Sequence, residues 1–447
     1  MKITMINSEI IPYESLPFGF SILIKTLKKN LIEPEIIDYN YLKKIGPVNI
    51  LFSLEDINNY LFYDKITTEM DLALHKISDL ITNNIIGFSC FSYESLKNSL
   101  ILAKYVKENF PEKKIIFGGI GTNNYEQELM KDFKFIDFML MKKSEQQLLV
   151  LITCLYDKKN FQKIPNLMFR NKLGIIKSNP LSQIDINSQE IPDYNYYFNV
   201  KKSFMLQYMT SEGCVNNCAF CGLVKNKIQY KKESKVIEEV NYLKNKYCVK
   251  DFCFQDDNIN TNPERTIKLM NALKKTNIKW YALSSANLIT NKIIKKMAEA
   301  GCKWIQFGLE SGSKKVLKLM NKPIDLDKFS EVLRECKKMG IEPQLNIIMG
   351  YPGETEFDIR ETLEYLYKNK ENYSHINLML FRLYFASVIG QQLKSEYRDP
   401  TQLKNNVERY NYFININNRQ SIEQYISFLE KNNISYISVF KPKQKNN

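Results

Sequence analysis

Phe204-Met-Leu-Gln-Tyr-Met209 runs directly into Thr210-Ser-Glu-Gly-Cys214-Val-Asn-Asn-Cys218-Ala-Phe-Cys221-Gly222. The apolar run reads as a strand, and the strand projects a CxxxCxxC loop into a pocket. A [4Fe–4S] cluster normally takes four cysteine ligands, so a loop that offers Cys214, Cys218 and Cys221 with no histidine nearby leaves one iron free for a ligand and for chemistry. A structural zinc site would need a fourth ligand. The remaining candidates, Cys248, Cys253, His75 and His375, lie far from the triplet in the chain. Disulfides do not fit a large chain with an odd number of cysteines and no secretory signal ahead of it. Cys90, Cys154, Cys248, Cys253, Cys302 and Cys336 sit in apolar or helical surroundings and read as packing residues.

The 447 residues suffice for two or three domains, and 44% apolar with 25% charged residues is an ordinary globular balance. The longest apolar runs, such as Leu148 to Tyr156, fall well short of a membrane span. Near the N-terminus stand Lys2, Glu9 and Glu14, without the charged-then-apolar pattern of a signal, so a cytoplasmic location is expected. A net charge of +14 draws anions, but the lysines are scattered and form no long basic block. Solvated surface is therefore expected rather than a nucleic-acid interface.

Residues 1–156 alternate strand-like runs (Ile3–Ile6, Ile36–Asp38, Ile85–Ser89, Lys114–Phe117, Phe135–Leu140) with amphipathic helical stretches, the pattern of a Rossmann-like α/β block. Open parallel sheets bind ligands beyond the carboxyl ends of their strands, where this chain has Gly87-Phe-Ser89-Cys-Phe-Ser92 and Gly118-Gly119-Ile-Gly121. Residues 157–202 read as a connector with a hairpin at Leu167 to Ile176 and an aromatic stretch at Pro192 to Phe198 that serves packing. Residues 203–395 hold six strand candidates, most followed by helical stretches: Phe204–Met209, Asp251–Phe254, Lys279–Leu283, Trp304–Phe307, Gln344–Met349 and Ile376–Leu380. Six such units make a partial (β/α)6 barrel with its chemistry at the strand ends. Residues 396–447 read as a short, polar, helical C-terminal extension.

The cysteine loop with Phe220 before its last cysteine, Gln255-Asp256-Asp257-Asn258, Gly308-Leu-Glu310-Ser311-Gly-Ser313 and Met349-Gly350-Tyr-Pro352-Gly353-Glu-Thr355 together resemble the radical S-adenosylmethionine (SAM) superfamily in order and spacing. The resemblance implies that Cys214, Cys218 and Cys221 are the metal ligands and the catalytic heart of the site. The amino and carboxylate groups of SAM would chelate the open iron, and reductive cleavage would yield a 5′-deoxyadenosyl radical. Phe220 would offer its backbone to adenine. Gln255, Asp256 and Asp257 would meet the methionine end of SAM, Glu310 and Ser311 the ribose or methionine end, and Gly350, Pro352 and Gly353 would close a turn over the cofactor. An electron donor such as flavodoxin or ferredoxin is implied as a partner.

The first block is similar to the cobalamin-binding domain found in one branch of that superfamily, through Pro17-Phe-Gly19, Ser89, Gly118-Gly119 and a final helix starting near Glu145. By this resemblance Gly19, Ser89, Gly118, Gly119 and Glu145 become the cobalamin contacts. Two departures stand out. No Asp-x-His-x-x-Gly motif is present, and Lys142-Lys-Ser-Glu145 occupies the place where the branch commonly has Gly-Glu-Gly-Glu. The implied reaction is cobalamin-dependent methylation of an unactivated centre in a small-molecule or peptide substrate. The alternatives are a radical rearrangement, cyclisation or oxidation without methyl transfer, and a non-catalytic iron–sulfur or cobalamin sensor. A methylthiotransferase acting on RNA would bring a second cysteine triplet, whereas the first block has only Cys90 and Cys154.

Overall fold

The computed structural model describes residues 1–10, 16–42, 51–123, 125–171, 173–182, 184–200, 204–222, 227–384, 387–393 and 418–438. These fall into two compact units, the first ending at Val200.

The first unit is a seven-stranded sheet in the order β2-β1-β3-β4-β5-β6-β7, formed by Thr4–Asn7 (β1), Glu35–Asp38 (β2), Ile85–Ser89 (β3), Lys114–Gly118 (β4), Phe138–Leu140 (β5), Leu167–Arg170 (β6) and Ile176–Ser178 (β7). Strands β1 to β5 pair in parallel, and the hairpin β6–β7 adds to β5 in antiparallel fashion. The hairpin expected in the connector thus extends the first sheet. The order β2-β1-β3-β4-β5 places a topological switch point between β1 and β3, since the chain leaves β1 in one direction for β2 and returns in the other for β3. Helix Tyr93–Asn109 follows β3 and starts at a reciprocal cap, in which the Ser92 side chain accepts from the backbone of Ser95 and the Ser95 side chain accepts from that of Ser92. In the aromatic stretch, Tyr194 and Tyr197 are buried, and the Tyr197 hydroxyl donates to Asp38 at 3.0 Å, so these rings pack into the first unit itself.

The second unit carries a parallel sheet in the order β16-β15-β14-β13-β12-β11-β8, from Leu206–Tyr208 (β8), Asp251–Phe254 (β11), Lys279–Ser284 (β12), Cys302–Glu310 (β13), Glu342–Met349 (β14), His375–Leu380 (β15) and Tyr436–Ser438 (β16). Ser211–Glu212 (β9) and Gln229–Tyr230 (β10) form a separate small ribbon that flanks the cysteine loop. All six strands expected from the sequence are present, and the tail contributes a seventh, paired with β15 through Ile376 and Tyr436. Helix Asn418–Lys431 brings it there by burying Tyr425, Ile426 and Leu429, a narrow apolar stripe within a polar sequence. The start of the extension at 396 and its end at 439–447 lie outside the described residues.

Burial alternates along the barrel strands. Phe252, Phe254, Trp280, Ile305, Phe307, Leu345 and Ile347 are buried, while Cys253, Tyr281, Gln306 and Asn346 between them are half-buried. The buried set faces the helices: the Trp280 indole donates to Ala300 O at 2.9 Å, and Phe307 meets Phe329 of helix Leu326–Lys338 edge-on at 5.3 Å. Strand side chains alternate in direction, so the polar set faces away from these helices.

Gly301 makes the turn between helix Asn291–Glu299 and β13 at φ +91°, and a Cβ there would lie 2.0 Å from Ile278 O. Gly301→Ala is expected to cost about 2 kcal/mol or more, from strain and the displaced strand pairing. Denaturant unfolding of the variant checks this.

Candidate functional site

The cysteine loop begins where β8 ends, and its foundation is a carboxylate. Asp256, beyond the end of β11, is completely buried and accepts hydrogen bonds from the Thr210 amide at 2.7 Å and from the hydroxyls of Thr210 and Ser211. Arg265, on helix Pro263–Leu273, donates to the carbonyl and hydroxyl oxygens of Thr210, each at 2.9 Å. Burial pushes the Asp256 carboxyl above the usual carboxylate range, against the pull of Arg265 and of the Ser211 and Thr210 hydrogen bonds. Both Asp256 oxygens are spent on the chain, so this residue, expected to meet SAM, holds the loop from beneath. Asp257 accepts the Gly213 amide at 2.7 Å, fixing the φ +90° residue that precedes Cys214. The Gln255 side chain donates to Cys253 Sγ at 3.1 Å.

An amide network supports the next turn of the loop. Asn258 donates to Cys214 Sγ at 3.7 Å and to Ser285 Oγ at 2.9 Å, and Asn216 donates to the same Ser285 hydroxyl at 2.7 Å. The far side of the loop is held by the turn after helix Lys314–Leu319. There the Ala219 amide donates to Met320 O at 2.8 Å, and the Asn321 side chain donates to Asn217 O at 2.7 Å. Phe220, expected to present its backbone to adenine, has no hydrogen-bond partner for that backbone among the described residues.

The thiols of Cys214, Cys218 and Cys221 are gathered closely enough to act on one another. Burial pushes Cys218 up to about 11, Lys322 pulls it down, and Glu310, Cys221 and Cys214 push it up again. Among the described residues no three His, Cys, Asp or Glu side chains converge to hold a single metal ion. The donor set, three thiols on one loop beside a buried cation, fits the cluster.

The other expected SAM residues ring this loop. Glu310 ends β13 at φ +66°, at a register shift against β14, and its carboxylate accepts from Lys322 Nζ at 3.0 Å. Ser311 is buried and shares a 3.0 Å hydrogen bond with Thr362 of helix Glu356–Lys368, which pins the Ser311–Ser313 turn and leaves its hydroxyl engaged by protein. After β14, Gly350 at φ +72° donates its amide to Glu354 at 2.7 Å, Gly353 at φ +88° accepts from Lys315 at 2.9 Å, and Pro352 lies between them. Tyr351 of this turn is pushed up to about 12, mainly by burial and further by Cys218, so the turn closes beside the loop. Lys322, Ser285 and Arg265 were not legible as site residues, because they come from separate segments and carry no local motif; Asn216 lies inside the cysteine loop itself but is not a metal-ligand type.

At the ligand edge of the first unit, Ser89 and Gly118 end β3 and β4, and Gly119 turns at φ +104° with Cys90 O only 2.3 Å from where its Cβ would be. The space left by Gly119 is therefore taken by protein backbone. Gly19 lies in the first turn of helix Phe18–Lys29 with open space around it, and Glu145 starts helix Glu145–Tyr156 and accepts from Gln189 at 3.1 Å. Phe91 and Ile120, just beyond these strand ends, are 64% and 54% exposed. Large apolar side chains at a sheet's ligand edge suit a broad, partly apolar cofactor. His75 lies in the last turn of helix Thr68–Ser78, which feeds β3 at its amino end, away from that edge.

Four barrel strands carry a connected polar row on the face turned away from the helices. The Tyr281 hydroxyl donates to Gln306 Oε1, Gln306 Nε2 donates to Asn346 Oδ1, and Asn377 Nδ2 donates to the same oxygen at 3.1 Å. With its oxygen taken twice, Asn346 keeps an NH2 group that has no partner among the described residues.

Glu354 gives a pH signature. Burial, opposed by the Gly350 amide and Tyr425, raises its carboxyl from 4.5 to about 7. A raised carboxyl favours the protonated fold, so its contribution is fully present below about pH 4.5 and is lost as pH rises through about 7. Glu354→Gln is expected to remove that dependence, so the melting temperature of the variant gains on wild type as pH rises across this window. Thermal melts of both proteins at matched pH values check it.

Residues 208–366 match the profile of the radical SAM superfamily. An uncharacterized methyltransferase of Pyrococcus horikoshii is 25% identical over 325 residues, covering 69% of this chain and 70% of that protein. The cytidylyl-2-hydroxyethylphosphonate methyltransferase of Streptomyces wedmorensis is 30% identical over 152 residues, 33% of this chain, and the match spans only 28% of that relative. Among solved structures, the radical SAM methyltransferase TsrM of Kitasatospora setae, with cobalamin and a [4Fe–4S] cluster bound, superposes with a TM-score of 0.69 at 14% identity, covering 88% of this chain and 78% of that one. The cobalamin-dependent SAM radical enzyme OxsB superposes at 0.65 with 16% identity, covering 98% of this chain and 64% of that one. With its three-cysteine loop at the head of a parallel barrel and an α/β sheet before it, the chain matches the radical SAM superfamily over residues 208–366 and shares its fold with the cobalamin-binding TsrM and the cobalamin-dependent OxsB.

Proposed function

We propose that the protein is a cobalamin-dependent radical SAM methyltransferase acting on an unactivated carbon or phosphorus centre. The observation that carries the reading is the loop itself: Cys214 and Cys221 lie close enough to Cys218 to act on its thiol, and the Phe220 backbone beside them has no hydrogen-bond partner among the described residues. When bound, the cluster supplies the electron that splits SAM into methionine and a 5′-deoxyadenosyl radical, and cobalamin supplies the methyl group.

The chain's own contribution is placement and exclusion of water. Asp256, Arg265 and Asp257 hold the entry of the loop, Asn258 and Asn216 its middle, and Met320 and Asn321 its far side. The Tyr384 ring packs against Gly222, 3.2 Å from where a Cβ would stand, and Tyr351 packs on Phe381 with ring centres 5.0 Å apart, so aromatic walls flank the loop. Phe220 would meet adenine, and Gln255, Glu310 and the Gly350–Gly353 turn would meet the rest of SAM. Ser89, Gly118, Gly19 and Glu145, together with Phe91 and Ile120, would hold cobalamin.

The Tyr281–Gln306–Asn346–Asn377 row is the proposed floor of the substrate site, on the face of the barrel sheet turned away from the helices that Trp280 and Phe307 meet. A soluble cytoplasmic setting and a flavodoxin or ferredoxin as electron donor complete the proposal. It is supported by the absence, among the described residues, of any helix long and apolar enough to cross a membrane.

Anaerobically reconstituted protein is expected to hold about four irons and four sulfides and to release 5′-deoxyadenosine from SAM with dithionite. Cys214→Ala, Cys218→Ala and Cys221→Ala should each abolish that release, and methyl label from SAM should reach the product only with cobalamin present. Release of 5′-deoxyadenosine without methyl transfer assigns the rearrangement or oxidation reading, and no release from a loaded cluster assigns the sensor. Asn346→Leu is expected to leave 5′-deoxyadenosine formation intact and to reduce product by about tenfold or more, the effect of losing one or two buried hydrogen bonds. Paired quantification of the two products checks it.

A further inference from the structure

The turn that follows helix Lys314–Leu319 lies along the cysteine loop, and all three of its residues touch it. Met320 O accepts the Ala219 amide at 2.8 Å, Asn321 at φ +50° donates its side chain to Asn217 O at 2.7 Å, and Lys322 Nζ stands 5.9 Å from the centre of the Phe220 ring. The Lys322 side chain is only 10% exposed and pairs with Glu310, 7% exposed, at 3.0 Å.

The surroundings are shaped for this pair. A Cβ on Gly308 would fall 2.2 Å from Glu310 Oε1 and 2.7 Å from Lys322 Nζ, so a larger residue there would push the tips of the pair aside. Glu310 adopts φ +66°, a conformation that costs a non-glycine residue energy, at the register shift between β13 and β14. Burial presses the Lys322 ammonium to lose its proton, but Glu310 and the thiols of Cys218 and Cys214 outweigh that pressure, so its pKa stands above the ordinary value. Lys322 Nζ faces the Phe220 ring, which stands between Cys218 and Cys221 in the chain, so the positive end of the pair lies beside the cysteine loop.

We propose that Lys322 is a positioning residue for electron entry: its ammonium, clamped by Glu310, raises the potential at which a cluster held by Cys214, Cys218 and Cys221 accepts its electron. This rests on the three-cysteine cluster reading above. One electron moves from an external one-electron donor to the cluster and no proton moves, so reduction adds one negative charge beside Cys218. A fixed cation in a water-poor setting stabilises that added charge far more than one in bulk water would. A role confined to filling the gap over Gly308 predicts no dependence on the sign of the charge.

The test is an anaerobic redox titration of the reconstituted full-length protein without SAM, followed by electron paramagnetic resonance, with iron and sulfide counted in each sample. Lys322→Met is expected to retain the cluster and lower its midpoint potential, while Lys322→Arg stays near wild type. Glu310→Gln, which leaves the ammonium unneutralised, is expected to shift the midpoint upward. A loaded Lys322→Met protein that titrates at the wild-type potential overturns the proposal. If Lys322→Met does not hold a cluster, the Glu310→Gln protein decides, and an unshifted or lowered midpoint there overturns it. Wild-type protein that takes up no iron and sulfide overturns the cluster reading itself, which separates the two failures.

Discussion

One buried carboxylate sets the position of the cysteine loop. Asp256 has no contact with solvent, and its oxygens tie the Thr210 amide and the hydroxyls of Thr210 and Ser211 to the end of a neighbouring strand. A buried carboxylate is expensive unless charge and hydrogen bonds compensate it, and here Arg265 supplies the charge while also gripping Thr210. The loop that follows can therefore be irregular, because its root is held at side-chain precision. Cysteine ligands need that: their thiols must stay available to a metal while their backbone is fixed.

The same logic explains the distribution of roles among the conspicuous residues. Polar groups nearest the strand ends, such as Asp256 and Ser311, are consumed in holding turns together. Groups one step further out, the Phe220 backbone and the Asn346 amide, retain hydrogen-bonding capacity. In the first unit, Gly119 is used to let two strand ends touch, and the exposed rim residues Phe91 and Ile120 remain to meet a ligand. Chemistry at the edge of a parallel sheet thus depends on an inner layer that is finished and an outer layer that is not.

Charge near the loop follows a similar economy. The net positive balance of the chain is spread over its surface, but the cation placed against the cysteines is the single buried Lys322, restrained by its partner. A restrained charge in a dry setting has a defined direction of action, which scattered surface lysines lack.

The sequence by itself determined the two α/β blocks, the six central barrel strands and the cysteine loop, because strand and helix periodicity and the CxxxCxxC spacing are local properties carried by consecutive residues. It did not disclose the seventh strand at Tyr436–Ser438, since the helix that delivers it shows only a thin apolar stripe in a polar segment. Nor did it disclose that Asp256 works beneath the loop, or that Lys322, Ser285 and Arg265 surround it. Those assignments depend on which strand ends meet and on which side chains have partners left. Both are set by contacts between residues tens of positions apart, which only the packed sheet brings together.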